Sequence, residues 1–316
     1  MILSVSRRTD IPAFYSDWFM NRIREGFVVT KNPFNPKQMH RISLNPHVID
    51  CIVFWSKNPK AMINHLDELD SRGYKYYFQF TLNGYGKDIE PFVPAREEMI
   101  HTFKKISKKI GRHRVIWRYD PILINTRYDV THHIHNFEYI CKKLSGYTEK
   151  CIISFIDSYQ KNKNNLKRAE VHFMADKEMT FLAQNLSHIA ESNSMHLETC
   201  SEKINLDELN IQHGKCIDDK LIERIIGCAI KVSKDKNQRS DCGCVSSIDI
   251  GAYNSCKHRC IYCYANYSQQ SMNDNIQKHH VKSPLLIGEL DGSEVIKAKE
   301  MKSLRRHQMT IFEEVK

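Results

Sequence analysis

Six short runs rich in β-branched and aromatic residues punctuate this chain, and each ends in polar side chains. Ile2–Ser6 leads into Arg7-Arg8-Thr9-Asp10, Cys51–Trp55 into Ser56-Lys57-Asn58, and Tyr76–Phe80 into Thr81-Leu82-Asn83. Arg114–Trp117 precedes Arg118-Tyr119-Asp120, Cys151–Phe155 precedes Ile156-Asp157-Ser158-Tyr159, and His196-Leu197 precedes Glu198-Thr199-Cys200-Ser201-Glu202. Runs of this length suit strands and are too short for most helices. Between them the apolar spacing turns helical: Ser16–Glu25 is stopped by Gly26, and Pro59–Arg72 has Asn58 as N-cap and Gly73 behind it. Pro94–Ile110, Val130–Leu144 and Lys177–Glu191 continue the alternation, while Phe27–Lys31 and Gln38–Leu44 flank Asn-Pro-Phe-Asn-Pro and predict an inserted hairpin.

Strands alternating with helices predict βαβ units and a parallel sheet. The expected fold is α/β, a partial or closed (β/α) barrel of about six parallel strands, with a doubly wound open sheet as the alternative. Ligands bind at the carboxyl ends of the strands in both, where the polar clusters fall. Asp219–Ile230 reads as a further helix, Lys231–Asp241 as a charged loop, and Val245–Ile250 as a short strand. A helix is expected from about Ser293 to Arg306. The chain is expected to divide into a barrel-like domain, 1–230, and a C-terminal cysteine segment, 231–316, packed on the barrel mouth.

That segment carries the sharpest chemistry. Cys256, Cys260 and Cys263 lie in one short loop at a CxxxCxxC spacing. Three thiolates so close can reach three corners of a four-iron cube and leave one iron open, whereas zinc sites more often use paired hooks far apart. Cys200, Cys216, Cys242 and Cys244 lie in the same region and are candidates for a second, auxiliary [4Fe-4S] cluster, against one zinc held by four thiolates or scattered free thiols. Cys51, Cys141, Cys151 and Cys228 sit in apolar patterns and read as core thiols.

CxxxCxYC followed by Tyr264-Ala265 resembles the cluster-binding loop of radical S-adenosylmethionine enzymes, and Asn254–Ala265 looks most like the branch containing spore photoproduct lyase. The resemblance implies that Cys256, Cys260 and Cys263 hold a [4Fe-4S] cluster, that its open iron binds S-adenosyl-L-methionine, and that Tyr262 packs by the adenine. It also implies an external electron donor and hydrogen abstraction from a substrate it does not name. Ser6–Phe14, Phe54–Pro59, Trp117–Pro121 and the terminal cysteines resemble a bacterial family catalogued only as a domain of unknown function. The motif stands far later in the chain than radical S-adenosylmethionine enzymes usually place it, and no Gly-Gly-Glu tripeptide follows a strand.

Eleven cysteines in a chain whose N-terminal apolar run is too short for a signal peptide favour metal binding over disulfides and predict a cytoplasmic protein. No stretch approaches about 18 consecutive apolar residues, so no membrane partner is expected. The formal charge of +10 is compatible with an anionic or nucleic-acid substrate, and equally with a solvated lysine surface. Arg7, Arg8 and Asp10 are candidates for anion binding or a rim ion-pair lattice. Lys57, Arg118 and Asp157 are candidate cofactor contacts, Asp120 shares their ambiguity, and Glu198 and Glu202 are candidates for the methionine amino group. His132, His133 and His135 lie at offsets that do not share a helix face, so surface or partly buried histidines are expected there, not a metal hook. Trp18, Trp55 and Trp117 read as core before base-stacking groups. Two further readings stay open: a non-catalytic iron–sulfur protein for electron transfer or sensing, and a zinc-stabilised nucleic-acid-binding module.

Overall fold

The six apolar runs become strands, and their alternation decides what lies on each side of them. In the computed structural model, which describes residues 1–32 and 35–306, the chain forms β1 (Ile2–Val5), α1 (Ile11–Phe14), α2 (Ser16–Glu25), β2 (Phe27–Asn32) and β3 (Asn35–Ser43). Next come β4 (Cys51–Ser56), α3 (Leu66–Ser71), β5 (Tyr76–Thr81), α4 (Arg96–Ile110), β6 (Val115–Ile122), α5 (Val130–Leu144) and β7 (Lys150–Phe155). Then follow α6 (Lys163–Arg168), α7 (Asp176–Ser192), β8 (His196–Thr199), β9 (Gln212–His213) and α8 (Asp219–Ile226). The last elements are β10 (Ile248–Asp249), α9 (Gln269–Gln277) and β11 (Ile296–Ala298).

One sheet of eight strands runs in the order β10-β1-β4-β5-β6-β7-β8-β9, with every pairing parallel. Its edges, β10 and β9, are two-residue strands that do not pair with each other, so of the partial or closed barrel expected, the closed form is not made among the described residues. Nor does the strand order reverse as a doubly wound sheet requires; from β1 to β9 consecutive strands of the main sheet lie side by side, and β10 returns to the far edge beside β1. The result is an open α/β sheet. Leu3, Phe54, Phe78, Trp117 and Ile153 face the core shared with Trp18, Leu66, Phe103, Phe137 and Leu186 of the helices. Alternate residues Ile2, Val53, Tyr77, Ile116 and Ile152 face the opposite way and are covered by the segment carrying Cys216, Ile222, Cys244 and Val245.

The predicted hairpin forms as β2 and β3, which pair antiparallel; the turn residues 33–34 lie outside the described ones. β11 adds to β3 in parallel, so the helix expected from Ser293 to Arg306 is instead extended. All three β11 residues are exposed, which leaves no apolar stripe for a helix to bury. α8 ends at Ile226 and not Ile230, because Gly227 takes a left-handed cap with φ of 74°. Asn58 caps no helix; a 3₁₀ turn over Ala61–His65 precedes α3. Among the described residues no helix is long and apolar enough to cross a membrane.

Trp117 shows how the helix face is held. Its ring is fully buried, stacks on Phe137 of α5 at 4.7 Å, and donates Nε1 to the Leu82 carbonyl at 2.9 Å. Trp117→Ala is expected to cost about 3–5 kcal/mol in urea unfolding, from the cavity and the lost stack. A loss below about 1 kcal/mol would mean that the site collapses without strain.

Candidate thiol sites at the carboxyl edge of the sheet

The three-cysteine loop follows directly from β10, which lies beside β1. Asp249 fixes that junction, accepting from Ser6 Oγ at 2.7 Å, Ser4 Oγ at 2.9 Å and Arg7 N at 2.8 Å. Gly251 comes so close to Ser6 that a Cβ there would lie 2.0 Å from Oγ. The loop closes on itself through Asn254 N to Ala265 O at 2.8 Å and Cys256 N to Asn266 Oδ1 at 3.4 Å. Asn254 and Arg259 take left-handed φ values of 51° and 56°, an uncommon conformation without glycine, and Arg259 lies between the first and second cysteines.

His258 inside the loop anchors it to the strand ends. Its Nε2 donates to Asp10 Oδ2 at 2.9 Å, and its other nitrogen faces the Phe92 carbonyl at 3.3 Å. The same Asp10 oxygen accepts from Lys57 N at 2.7 Å, while Oδ1 accepts from Ser56 Oγ at 2.7 Å and Ala13 N at 2.9 Å. Asp10 therefore joins the end of β1, the cap of α1, the end of β4 and the cysteine loop.

Beside it, Glu90 Oε1 takes Lys57 Nζ at 2.7 Å, the Tyr262 hydroxyl, and Asn83 Nδ2 at 3.3 Å. Burial alone would lower the Lys57 pKa, but Glu90 and then Cys260 outweigh it and hold the ammonium above its ordinary value. Burial pushes the Cys256 thiol up to about 12 and raises Cys260 and Cys263 as well, with Lys57 opposing the rise in the last two. Cys260 senses Cys256 and Cys263 electrostatically, yet among the described residues no thiol–thiol hydrogen bond joins the three. A cleft of about 610 Å³ opens against Cys260, lined also by Asp88, Arg168, Arg259, Tyr267 and Met272.

The second group of cysteines converges on the face of the sheet away from the main helices. Cys200 Sγ lies 2.9 Å from Cys216 Sγ, and the titration of Cys244 is tied to that of both Cys216 and Cys242. All four are free thiols. Contact with Cys216 lowers the Cys200 pKa to about 7, and contacts with Cys216 and Cys242 lower that of Cys244 further, while those of Cys216 and Cys242 are raised. Among the described residues no group of three or more His, Cys, Asp or Glu side chains stands, in its present positions, with the geometry to hold a metal ion.

Arg118 links the two groups. One guanidinium nitrogen lies 2.6 Å from Cys216 Sγ and the other pairs with Asp120, whose main chain is clasped by Asn83. Asn83 in turn touches Glu90. Trp55 lies under both Arg7 and Arg118, at 5.3 and 5.4 Å, and donates Nε1 to Ser4.

The remaining candidates are engaged elsewhere. Glu198 pairs with Lys150 at 2.6 Å, low on the sheet. Glu202 accepts from Phe155 N at 2.8 Å, and burial raises its pKa to about 7. Asp157 is exposed and paired with Arg239. Arg7 faces Asp235 at 3.8 Å, and Arg8 donates to the Gly251 carbonyl at 3.2 Å. Glu90 escaped sequence reading because its loop carries no periodic signal. Tyr262 reaches the rim, but its hydroxyl is engaged by Glu90. Trp18 and Trp117 are core, as are Cys51, Cys141 and Cys151, while Cys228 is half-buried.

His133 is a buried structural group, hydrogen-bonded at Nδ1 to Tyr119 OH at 2.8 Å and at Nε2 to Leu123 O at 2.9 Å. Burial, with His132 adding to it, lowers its pKa from 6.5 to about 4. The neutral ring is favoured in the folded chain, so its contribution is whole above 6.5 and is lost as pH falls towards about 4. His133→Gln is expected to be less stable than the parent near neutrality and to show a flatter acid limb in urea unfolding across that window. Asp10→Ala is expected to speed amide exchange across 256–262 by roughly tenfold or more, since charge-assisted bonds hold the loop down. Unchanged exchange would relieve Asp10 of that role.

Among curated proteins, none matches the chain. A solved structure of a candidate alpha-L-fucosidase from Bacteroides thetaiotaomicron VPI-5482 is similar over 67% of this chain and 80% of that one, at 8% identity and a TM-score of 0.26, too distant to carry an argument. A family model described as Domain of unknown function (DUF1848) matches residues 2–265, and the chain belongs to that family.

Proposed function

We propose that this chain is an iron–sulfur enzyme of the radical S-adenosylmethionine type, with Cys256, Cys260 and Cys263 as ligands of one [4Fe-4S] cluster. The observation that carries the reading is the seating of the three-thiol loop on the carboxyl edge of a parallel sheet by Asp10, with a cleft against Cys260. Three soft donors supplied by one short loop are the number that a cube with one open iron takes from its protein. We read the open sheet as a partial barrel whose mouth the loop covers.

Held by Cys256, Cys260 and Cys263 and reduced by an external donor, the cluster would, with S-adenosylmethionine, supply radical chemistry for hydrogen abstraction from a substrate. The chain's own residues position and shield. Lys57, kept charged by Glu90, offsets thiolate charge at Cys260 and Cys263. Glu90 replaces Glu198 and Glu202 as the carboxylate for an amino group, and Tyr262 and Asn83 fix its orientation. Arg168 and Arg259 on the cleft suit a carboxylate or phosphate.

Anaerobic reconstitution with iron and sulfide tests this. The parent should gain about four irons that depend on the triplet, and release 5′-deoxyadenosine with dithionite and S-adenosylmethionine. Replacing all three cysteines by Ala should remove both, and Lys57→Ala or Glu90→Gln should slow cleavage at least about tenfold. Iron without cleavage would identify an electron-transfer or sensing protein, and cleavage surviving in the triple variant would overturn the ligand assignment.

A further inference from the structure

We propose that Cys200, Cys216, Cys242 and Cys244 form a second, separate site that holds one soft divalent ion of the zinc class in a four-thiolate shell. The proposal does not depend on iron at the triplet loop. Three stretches of chain deliver the thiols: the end of β8, the loop after β9, and the loop before β10. Their meeting is built into the backbone. Gly214 lies against β8 so tightly that a Cβ would sit 2.4 Å from Glu198 Oε2 and 3.0 Å from the Thr199 carbonyl. Gly243, between Cys242 and Cys244, faces Lys215 Cγ with 3.1 Å for a Cβ. A side chain at Gly214 would push against β8, while one at Gly243 would need Lys215 to give slightly.

The surroundings match a charged sulfur centre better than four inert thiols in a core. Arg118 aims a guanidinium N–H at Cys216 Sγ, and Ile217 N donates to Cys244 Sγ at 3.4 Å. Arg7 is also near, ion-paired with Asp235 over the Trp55 ring. Such donors steady thiolates from outside the metal shell, and Asp120 and Asp235 in turn hold Arg118 and Arg7 in place.

Spacing separates the single ion from a cluster. Metal–sulfur bonds of about 2.3 Å put tetrahedral sulfurs roughly 3.8 Å apart. The Cys200–Cys216 separation of 2.9 Å requires a widening of under about 1 Å to reach that. An iron–sulfide cage between the sulfurs would demand a much wider opening of a site where three of the four cysteines are at most 5% exposed. The bound ion would pin both edges of the open sheet, since the loops carrying Cys216 and Cys242–Cys244 adjoin β9 and β10.

Metal analysis of the full chain, purified without added metal, should find about one zinc per chain. Cys242→Ser/Cys244→Ser should lose that zinc, while the Cys256/Cys260/Cys263 alanine variant keeps it. Cobalt exchanged into the parent should give the intense visible bands of a tetrahedral tetrathiolate, a readout that survives if the double variant misfolds. A parent that binds neither zinc nor cobalt would overturn the proposal. So would loss of iron and sulfide instead of zinc in the double variant, the mark of a second cluster, or a Cys200–Cys216 disulfide in a zinc-free chain.

Discussion

The Asp10 carboxylate, 6% exposed, takes hydrogen bonds from Ser56 and Ala13 on one oxygen and from Lys57 and His258 on the other. Both oxygens are satisfied, which is what makes a buried charge tolerable. Because those donors come from α1, the end of β4 and the cysteine loop, the carboxylate fixes their relative positions. The loop enters the chain about 246 residues after Asp10, yet His258 meets it at hydrogen-bond distance.

From that anchor the rim continues as a succession of paired charges. Lys57 meets Glu90, Glu90 meets Tyr262 and Asn83, and Asn83 holds the main chain of Asp120, which pairs with Arg118. Arg118 then touches Cys216. Removing one member of a buried pair leaves its partner charged and unsatisfied, so the network resists piecemeal change. It also puts the two thiol groups in one electrostatic system, with Arg118 at the thiol chain and Lys57 at the triplet.

The strands were legible because a parallel strand buried on both faces reads as a short apolar run, and the helices because their apolar stripe repeats with helical period. Of the polar groups expected at the ends of those runs, Lys57 and Arg118 belong to the paired network at the carboxyl edge of the sheet. Glu198, two residues before Cys200, pairs with Lys150 on the neighbouring strand, a contact between distant segments that spacing does not encode. Asp157 and Glu202 lie just beyond strand ends, and one is exposed while the other caps the Phe155 amide. Ser293–Arg306 failed as a helix because β3 offered an edge.

What the linear order determined here is local: which stretches extend, which coil, where glycine ends a helix, and that three cysteines share one loop. These follow from interactions over a few residues, which spacing encodes. Whether the sheet closed, which carboxylate met Lys57, and that Cys200, Cys216, Cys242 and Cys244 came into contact were decided only by the folded chain. Such contacts depend on the packing of segments distant in sequence, and glycines at 214 and 243 permit the close approach without announcing which partner it brings.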